Sequence, residues 1–411
     1  MLKTRISLAA VFYLASFLWF AMRPSEMLLF PVVVLICAVQ LSRILCSNSM
    51  SSVSLSTNVA LVFLYIYPTI ALAGLRSLDV YLICFLAILT TDLYIVFCSK
   101  IDRRRSRRMQ TGTSGPAYFR AWAMLMIWCA VSGLVLGSDP LSRALAFAVP
   151  FGVSLVLYEH GIRSGRVTFS SKWPVVVYVL LVILYARIYW SGYGRLVIGT
   201  YLMMPFLIAA YNGVIYVRPW QVVVVSPVAL WVAQYSRYNS VNSLDALFVG
   251  SAGHHLIVGE SVYNYSLSKS SADFQEFFSQ LSLLFFNWIP RAVWPDKPLG
   301  VGFTSVDTIF GREGVGENYS QSIGFVGEQF YFFGELFWLG LLVFVLCIAL
   351  TRLAISRLDR GMVSLLVIFD VNLISYLWGG GATFGSRVWF FLLPAWMCML
   401  WIRRRQRRSG L

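Results

Sequence analysis

Apolar runs close to the length of a bilayer-crossing helix recur along almost the whole chain, and they leave few folds open. They cover roughly 6–22, 27–42, 57–75, 79–98, 118–136, 142–158, 174–190, 196–212, 220–236, 324–350, 361–378 and 386–402, and a helix needs about 20 residues to cross the hydrocarbon. A water-soluble core does not absorb that much apolar sequence. With 58% hydrophobic residues against 12% charged, the expected class is an all-α polytopic integral membrane protein with about twelve transmembrane helices.

The formal net charge of +15 invites a nucleic-acid reading, but the distribution of the basic residues opposes it. They sit in short runs between the spans: Lys3 and Arg5; Arg43; Lys100 to Arg108; Arg163, Arg166 and Lys172; Arg218; Arg352, Arg357 and Arg360; Arg403 to Arg408. Basic residues in short loops stay in the cytoplasm, and alternation through twelve spans puts every cluster on that one side. Both termini are therefore expected in the cytoplasm, and the charge is topological, with no nucleic-acid partner implied. After the first span, Ala21-Met22-Arg23-Pro24 lacks the small-x-small pattern of signal cleavage, so this span is retained as a helix. The seven cysteines lie in spans or at their ends, with no disulfide or thiolate-metal spacing. His254 and His255 are adjacent, diverge on regular structure and lack a third ligand, so no metal is expected.

The same alternation divides the chain. Residues 1–236 hold the first nine helices, 237–322 form a large extracytoplasmic loop between helices 9 and 10, 323–402 hold the last three helices, and 403–411 are a basic tail. An aromatic-rich loop of that length is usually functional. Inside it, Phe274, Phe277, Phe278, Leu281, Leu284, Phe285 and Trp288 follow helical three-and-four spacing. Asp273 with Glu276 supplies a capping start, and Pro290 ends the helix. The expectation is an amphipathic helix at the lipid–water boundary that delivers Arg291 and Trp294 at headgroup depth. The stretch that follows, Ile289-Pro290-Arg291-Ala292-Val293-Trp294-Pro295-Asp296-Lys297-Pro298, brackets three charges with prolines and so holds them on stiff backbone.

This decapeptide, followed by Gly327-Glu328 and then Gly334 heading an apolar span, resembles the oligosaccharide repeat-unit polymerases, the Wzy family of O-antigen and capsule assembly. The likeness covers about the last 130 residues of the sequence; upstream it extends only to span number. It implies a GT-C-like membrane glycosyltransferase in the bacterial inner membrane, acting at the periplasmic face. The growing glycan would pass from undecaprenyl diphosphate onto an incoming lipid-linked repeat unit. Such an enzyme needs no cofactor; a flippase and a chain-length co-polymerase would be partners in the same pathway.

That chemistry asks for a grip on the leaving diphosphate, alignment of the acceptor hydroxyl, and a proton acceptor. Arginine suits the first task through its planar, permanently charged fork. Arg291 leads the candidates, with Arg195, Arg237 and Arg387 behind it, each also able to serve only as a snorkelling headgroup contact. Glu328 is the candidate proton acceptor, at the outer end of the tenth span. Glu335, seven residues on, is expected about two turns deeper on the same helix face. Asp296 and Lys297 either pair across the turn or touch sugar, and His255 stands as a phosphate or hydroxyl contact.

A lipid-linked oligosaccharide flippase is the competing class, with Asp92 and Asp370 as intramembrane relay residues. The absence of two matching halves weighs against it. An O-antigen ligase is the nearest rival among enzymes.

Overall fold

The computed structural model describes residues 52–72, 78–102, 140–163, 195–215, 253–268, 273–311, 321–358 and 362–408, with isolated positions near 37–41, 176–184 and 218–221. The expected spans at 6–22 and 118–136, Arg237, and the basic runs at Lys3–Arg5 and Arg103–Arg108 lie outside the described residues. The described regular structure is all helical. In chain order, α1 (Ser52–Leu61) passes through a π-helical turn at Val62–Ile66 into α2 (Tyr67–Ala71). Then come α3 (Leu78–Asp102), α4 (Pro140–Arg163), α5 (Arg195–Tyr211), α6 (His254–Leu267), α7 (Phe274–Phe286) and α8 (Val301–Phe310). The last stretch holds α9 (Gly324–Phe333), α10 (Phe337–Leu358) and α11 (Ser364–Arg408).

Among the described residues three helical stretches are long and apolar enough to cross a membrane: Val80–Cys98, Gly324–Leu358 and Ser364–Arg404. Their outward faces fit a lipid environment. On α10, Trp338, Leu342, Leu346 and Leu350 are exposed at four-residue spacing, which is one stripe of a helix. In water such a stripe is a liability; against acyl chains it is the expected surface. This is a helical membrane protein, and twelve crossings remain the expectation of the sequence.

Two of the three long stretches fold back on themselves. Gly380 has φ 77° and ψ −170°, which breaks α11 into two arms. Across that break Arg387 Nη1 donates to Ser375 Oγ at 2.9 Å, and the rings of Phe369 and Phe384 lie 5.4 Å apart. A continuous helix would separate residues twelve apart by roughly 18 Å. The arms are therefore antiparallel, matching the separate runs at 361–378 and 386–402 in the sequence. The 324–350 run, by contrast, is not one span. Gly334, at φ 53°, ends α9 after ten residues. Phe330 then meets Phe337 at 4.8 Å between ring centres, and a side chain on Gly340 would collide with Gln329 and Phe333. Thus α9 is a short helix doubled back along α10. The hydropathy run concealed this reversal because both limbs are apolar.

The α11 hairpin is the central element, packed by α4, α5, α1, α7, α9 and α10. Its first arm begins at Val363 and Ser364, whose backbone N–H groups are capped by the buried Glu159 of α4. The Glu159 carboxylate also pairs with Arg163 at 2.8 Å, so this buried charge is compensated. Nearly two turns into the first arm, Asp370 accepts two bonds from Arg352 of α10, at 2.8 and 3.0 Å. Both side chains are fully buried. Of the two candidate relay residues, Asp370 is thus bound in an ion pair, and Asp92 accepts a bond from Gln40 at 3.0 Å.

Candidate functional site

The amphipathic helix of the loop is α7. Its start is the expected cap: Asp273 Oδ1 accepts the Glu276 N–H at 2.9 Å. Phe277, Gln280, Leu283 and Leu284 are buried against the bundle, whereas Phe274, Phe278 and Phe286 are exposed. The apolar residues therefore serve two surfaces, one facing protein and the other outward. The inner face needs close backbone approach, because a Cβ on Gly385 of α11 would overlap the Leu283 carbonyl. Trp389 Nε1 donates to the Leu284 carbonyl at 3.0 Å from the same arm.

Beyond α7 the proline-rich loop is closed by its own two cations. Lys297 Nζ donates to the carbonyls of Asn287 and Ile289 at 2.6 and 2.9 Å. These carbonyls lie at the C-terminal end of the helix, where acceptors lack intrahelical partners and a cation is favoured by the helix dipole. Arg291 reciprocates by donating to the carbonyls of Lys297 and Pro298. Two of its five donors are used in this way, and the side chain is exposed. The rest of the guanidinium faces outward. Asp296 is also exposed. The expected Asp296–Lys297 turn pair is therefore not formed, because the ammonium is turned inward onto carbonyls.

Burial, and secondarily the neighbouring Arg291 charge, hold the Lys297 amine below the ordinary lysine range. A depressed folded-state value means that the unfolded chain binds the proton more tightly. The resulting penalty is present below the folded value and is relieved as pH rises through it toward 10.5, the ordinary value. We expect thermal stability to gain over that alkaline interval in the wild type and to lose this gain in Lys297→Met, as read by melting curves across pH.

Glu328 is the second half of the site. It is only 3% exposed, and both carboxylate oxygens accept the Gly381 N–H, at 3.1 and 2.9 Å. Gly381 opens the second arm of α11, so Glu328 caps that arm as Glu159 caps the first. The difference is charge compensation: Glu159 has Arg163, and among the described residues Glu328 has no basic partner. The carboxylate occupies the space that a side chain on Gly380 would fill. Its neighbour Glu335 does not lie deeper on the same face, as the helical spacing suggested. The reversal at Gly334 leaves Glu335 exposed in the turn Gly334–Leu336.

Three contacts join the two halves. Lys297 holds the Asn287 carbonyl, Asn287 Nδ2 donates to the Ala382 carbonyl at 2.6 Å, and Ala382 follows Gly381, which holds Glu328. The structure thus brings Arg291, Lys297, Asp296 and Glu328 to one end of the α11 hairpin. Asn287 and the run Gly379-Gly380-Gly381 were not singled out in the sequence, although three consecutive glycines between two apolar spans were a legible sign of a tight reversal.

The remaining candidates lie elsewhere or differ from expectation. Arg387 is not in a loop ahead of its span but two turns inside the second arm, bonded across the hairpin to Ser375. His255 is fully buried on α6, edge-on to Tyr65 at 4.8 Å, because α6 is packed into the bundle beside α9 and α3. Arg195 is the first residue of α5. Neither a family model, a curated protein nor a solved structure matches the chain.

Proposed function

We propose that the chain is a membrane glycosyltransferase that polymerises undecaprenyl-diphosphate-linked oligosaccharide repeat units at the periplasmic face of a bacterial inner membrane. The observation that carries this reading is the fastening of a stiff cationic loop to the glycine hinge that holds a buried, uncompensated carboxylate. Arg291 offers free donors to the leaving diphosphate, and Lys297 adds positive charge behind it. The acceptor hydroxyl attacks the anomeric carbon, the bond to the diphosphate oxygen breaks, and undecaprenyl diphosphate departs with the electron pair. The hydroxyl proton passes to Glu328. A single displacement of this kind inverts the anomeric centre.

In the described state Glu328 is buried against Gly380 and Gly381, and Ala382 beside them is bonded to Asn287, so the reading requires this packing to part when substrate enters. The exposed apolar residues of α10 and the outward phenylalanines of α7 support a loop that lies beside the bilayer, where a polyprenyl substrate resides.

The test is the size distribution of glycan formed by purified protein in lipid from a synthetic undecaprenyl-diphosphate repeat unit. Wild type is expected to yield polymer. Arg291→Ala is expected to lose about tenfold to a hundredfold in rate, the worth of a hydrogen bond to a charged group. Absence of polymer from wild type, with transbilayer movement of the unit, would replace this reading by the flippase.

A further inference from the structure

Three buried oxygens around the start of α8 have no hydrogen-bond partner among the described residues: Gln280 Oε1 on α7, Ser305 Oγ on α8 and Gln321 Oε1 ahead of α9. Their residues belong to, or are bonded to, one strip of chain. The Gln280 amide nitrogen donates to the Leu299 carbonyl. The Gln321 backbone N–H donates to the Gly302 carbonyl at 2.9 Å. Ser305 follows Gly302 by three residues and so shares its face of α8. Ser305 and Gln280 are 0% and 4% exposed, so bulk solvent does not reach them.

A buried acceptor without a donor is destabilising, and native structures rarely tolerate several at one place. Their position points to the reason. Gly300, between Leu299 and α8, packs so closely on Ala382 that an added Cβ would stand 2.9 Å from the alanine methyl. Ala382 in turn adjoins Gly381, the partner of Glu328. The strip that contains or contacts these residues therefore packs against the hinge segment that holds the buried carboxylate, and runs on from Pro298 of the Arg291 loop.

Their chemistry is also the complement of that loop. Arg291 and Lys297 present donors, which suit phosphate oxygens. An amide hydrogen of Gln280 is already used on Leu299; Ser305 Oγ can both donate and accept, whereas the two glutamine carbonyl oxygens can only accept. A diphosphate at neutral pH has no protons to offer them, whereas a sugar carries several hydroxyl donors.

We propose that Gln280, Ser305 and Gln321 form a hydroxyl-binding subsite for a sugar residue of the oligosaccharide, engaged when the strip Leu299–Gly302 lifts from Ala382. The assignment of that sugar to a lipid-linked repeat unit rests on the polymerase reading; the subsite itself does not.

The probes are the oligosaccharide released by mild acid from the lipid-linked pool of the producing cells, and undecaprenyl diphosphate without sugar. Both are titrated against wild type, Ser305→Ala and Ser305→Ala/Gln321→Met in lipid nanodiscs. We expect oligosaccharide affinity to fall roughly threefold in the single variant and at least about tenfold in the double. Undecaprenyl diphosphate affinity should stay unchanged, and the melting temperature should not fall. Ser305→Ala removes one oxygen and little volume, so it reports even if the double variant fails to fold. Unchanged oligosaccharide affinity with a raised melting temperature would overturn the subsite, as would failure of wild type to bind the oligosaccharide. Selective loss of oligosaccharide binding, in a protein whose wild type makes no polymer, would uphold the subsite and remove the polymerase.

Discussion

Glu328→Gln is expected to fold and to make almost no polymer. The glutamine carbonyl can still accept the Gly381 N–H that both carboxylate oxygens now share, so the cap on the second arm of α11 is kept. What disappears is the ability to take a proton from the acceptor hydroxyl, which is worth about 10²–10⁴ in rate for a positioned general base. Chain-length analysis of glycan made by reconstituted protein, beside a melting curve, separates the two roles. Polymer made at the wild-type rate by Glu328→Gln would reduce Glu328 to a helix cap of the Glu159 kind. Glu159 is a useful contrast because it shares its charge with Arg163, and it sits at the opposite end of the first arm, against Ser364. Its loss should affect stability and leave the chemistry of the surviving folded protein intact.

The largest structural effect is expected from Gly380→Ala. Gly380 has φ 77° and ψ −170°, a combination that side chains avoid at a cost of about 1–3 kcal/mol. An added methyl would in addition overlap the Glu328 carboxylate, so the total loss should exceed about 3 kcal/mol, with little folded protein recovered. Gly213→Ala supplies the control. Gly213 has φ 73°, yet a Cβ there meets nothing within 4 Å, so only the backbone penalty of about 1 kcal/mol applies. If the overlap is real, Gly380→Ala combined with Glu328→Ala should be less damaging than the sum of the two changes, because the second makes room for the first. Strict additivity in that cycle would refute the contact between hinge and carboxylate.

Both experiments act on a hinge that was half visible in the sequence. The apolar runs at 361–378 and 386–402 already separated the two arms of α11, and Gly379-Gly380-Gly381 between them marked the break. Three-and-four spacing of apolar residues likewise disclosed α7, and Asp273 with Glu276 set its start where the structure has it, while the helix stops at Phe286, ahead of the expected end at Pro290. These are local properties. Spacing, capping and proline act within a few residues, so the sequence alone determined a membrane-class helical chain, an amphipathic helix and a stiff cationic loop after it.

Contacts between segments distant in sequence were decided only in three dimensions. Periodicity placed Glu335 under Glu328, but one positive φ at Gly334 turned the chain and left Glu335 at the exposed tip. Adjacent charges suggested an Asp296–Lys297 pair, yet the unmet carbonyls of Asn287 and Ile289 were the better partners for the ammonium. Asp370 read only as a relay residue within the membrane, and its ion pair with Arg352 on the neighbouring helix is visible only in the fold. Glu328 reads in sequence only as Gly-Glu on an apolar run. Its confinement by a hinge 53 residues away depends on two helix reversals whose glycines carry no hydropathy signal, because glycine directs the chain through backbone freedom and not through burial.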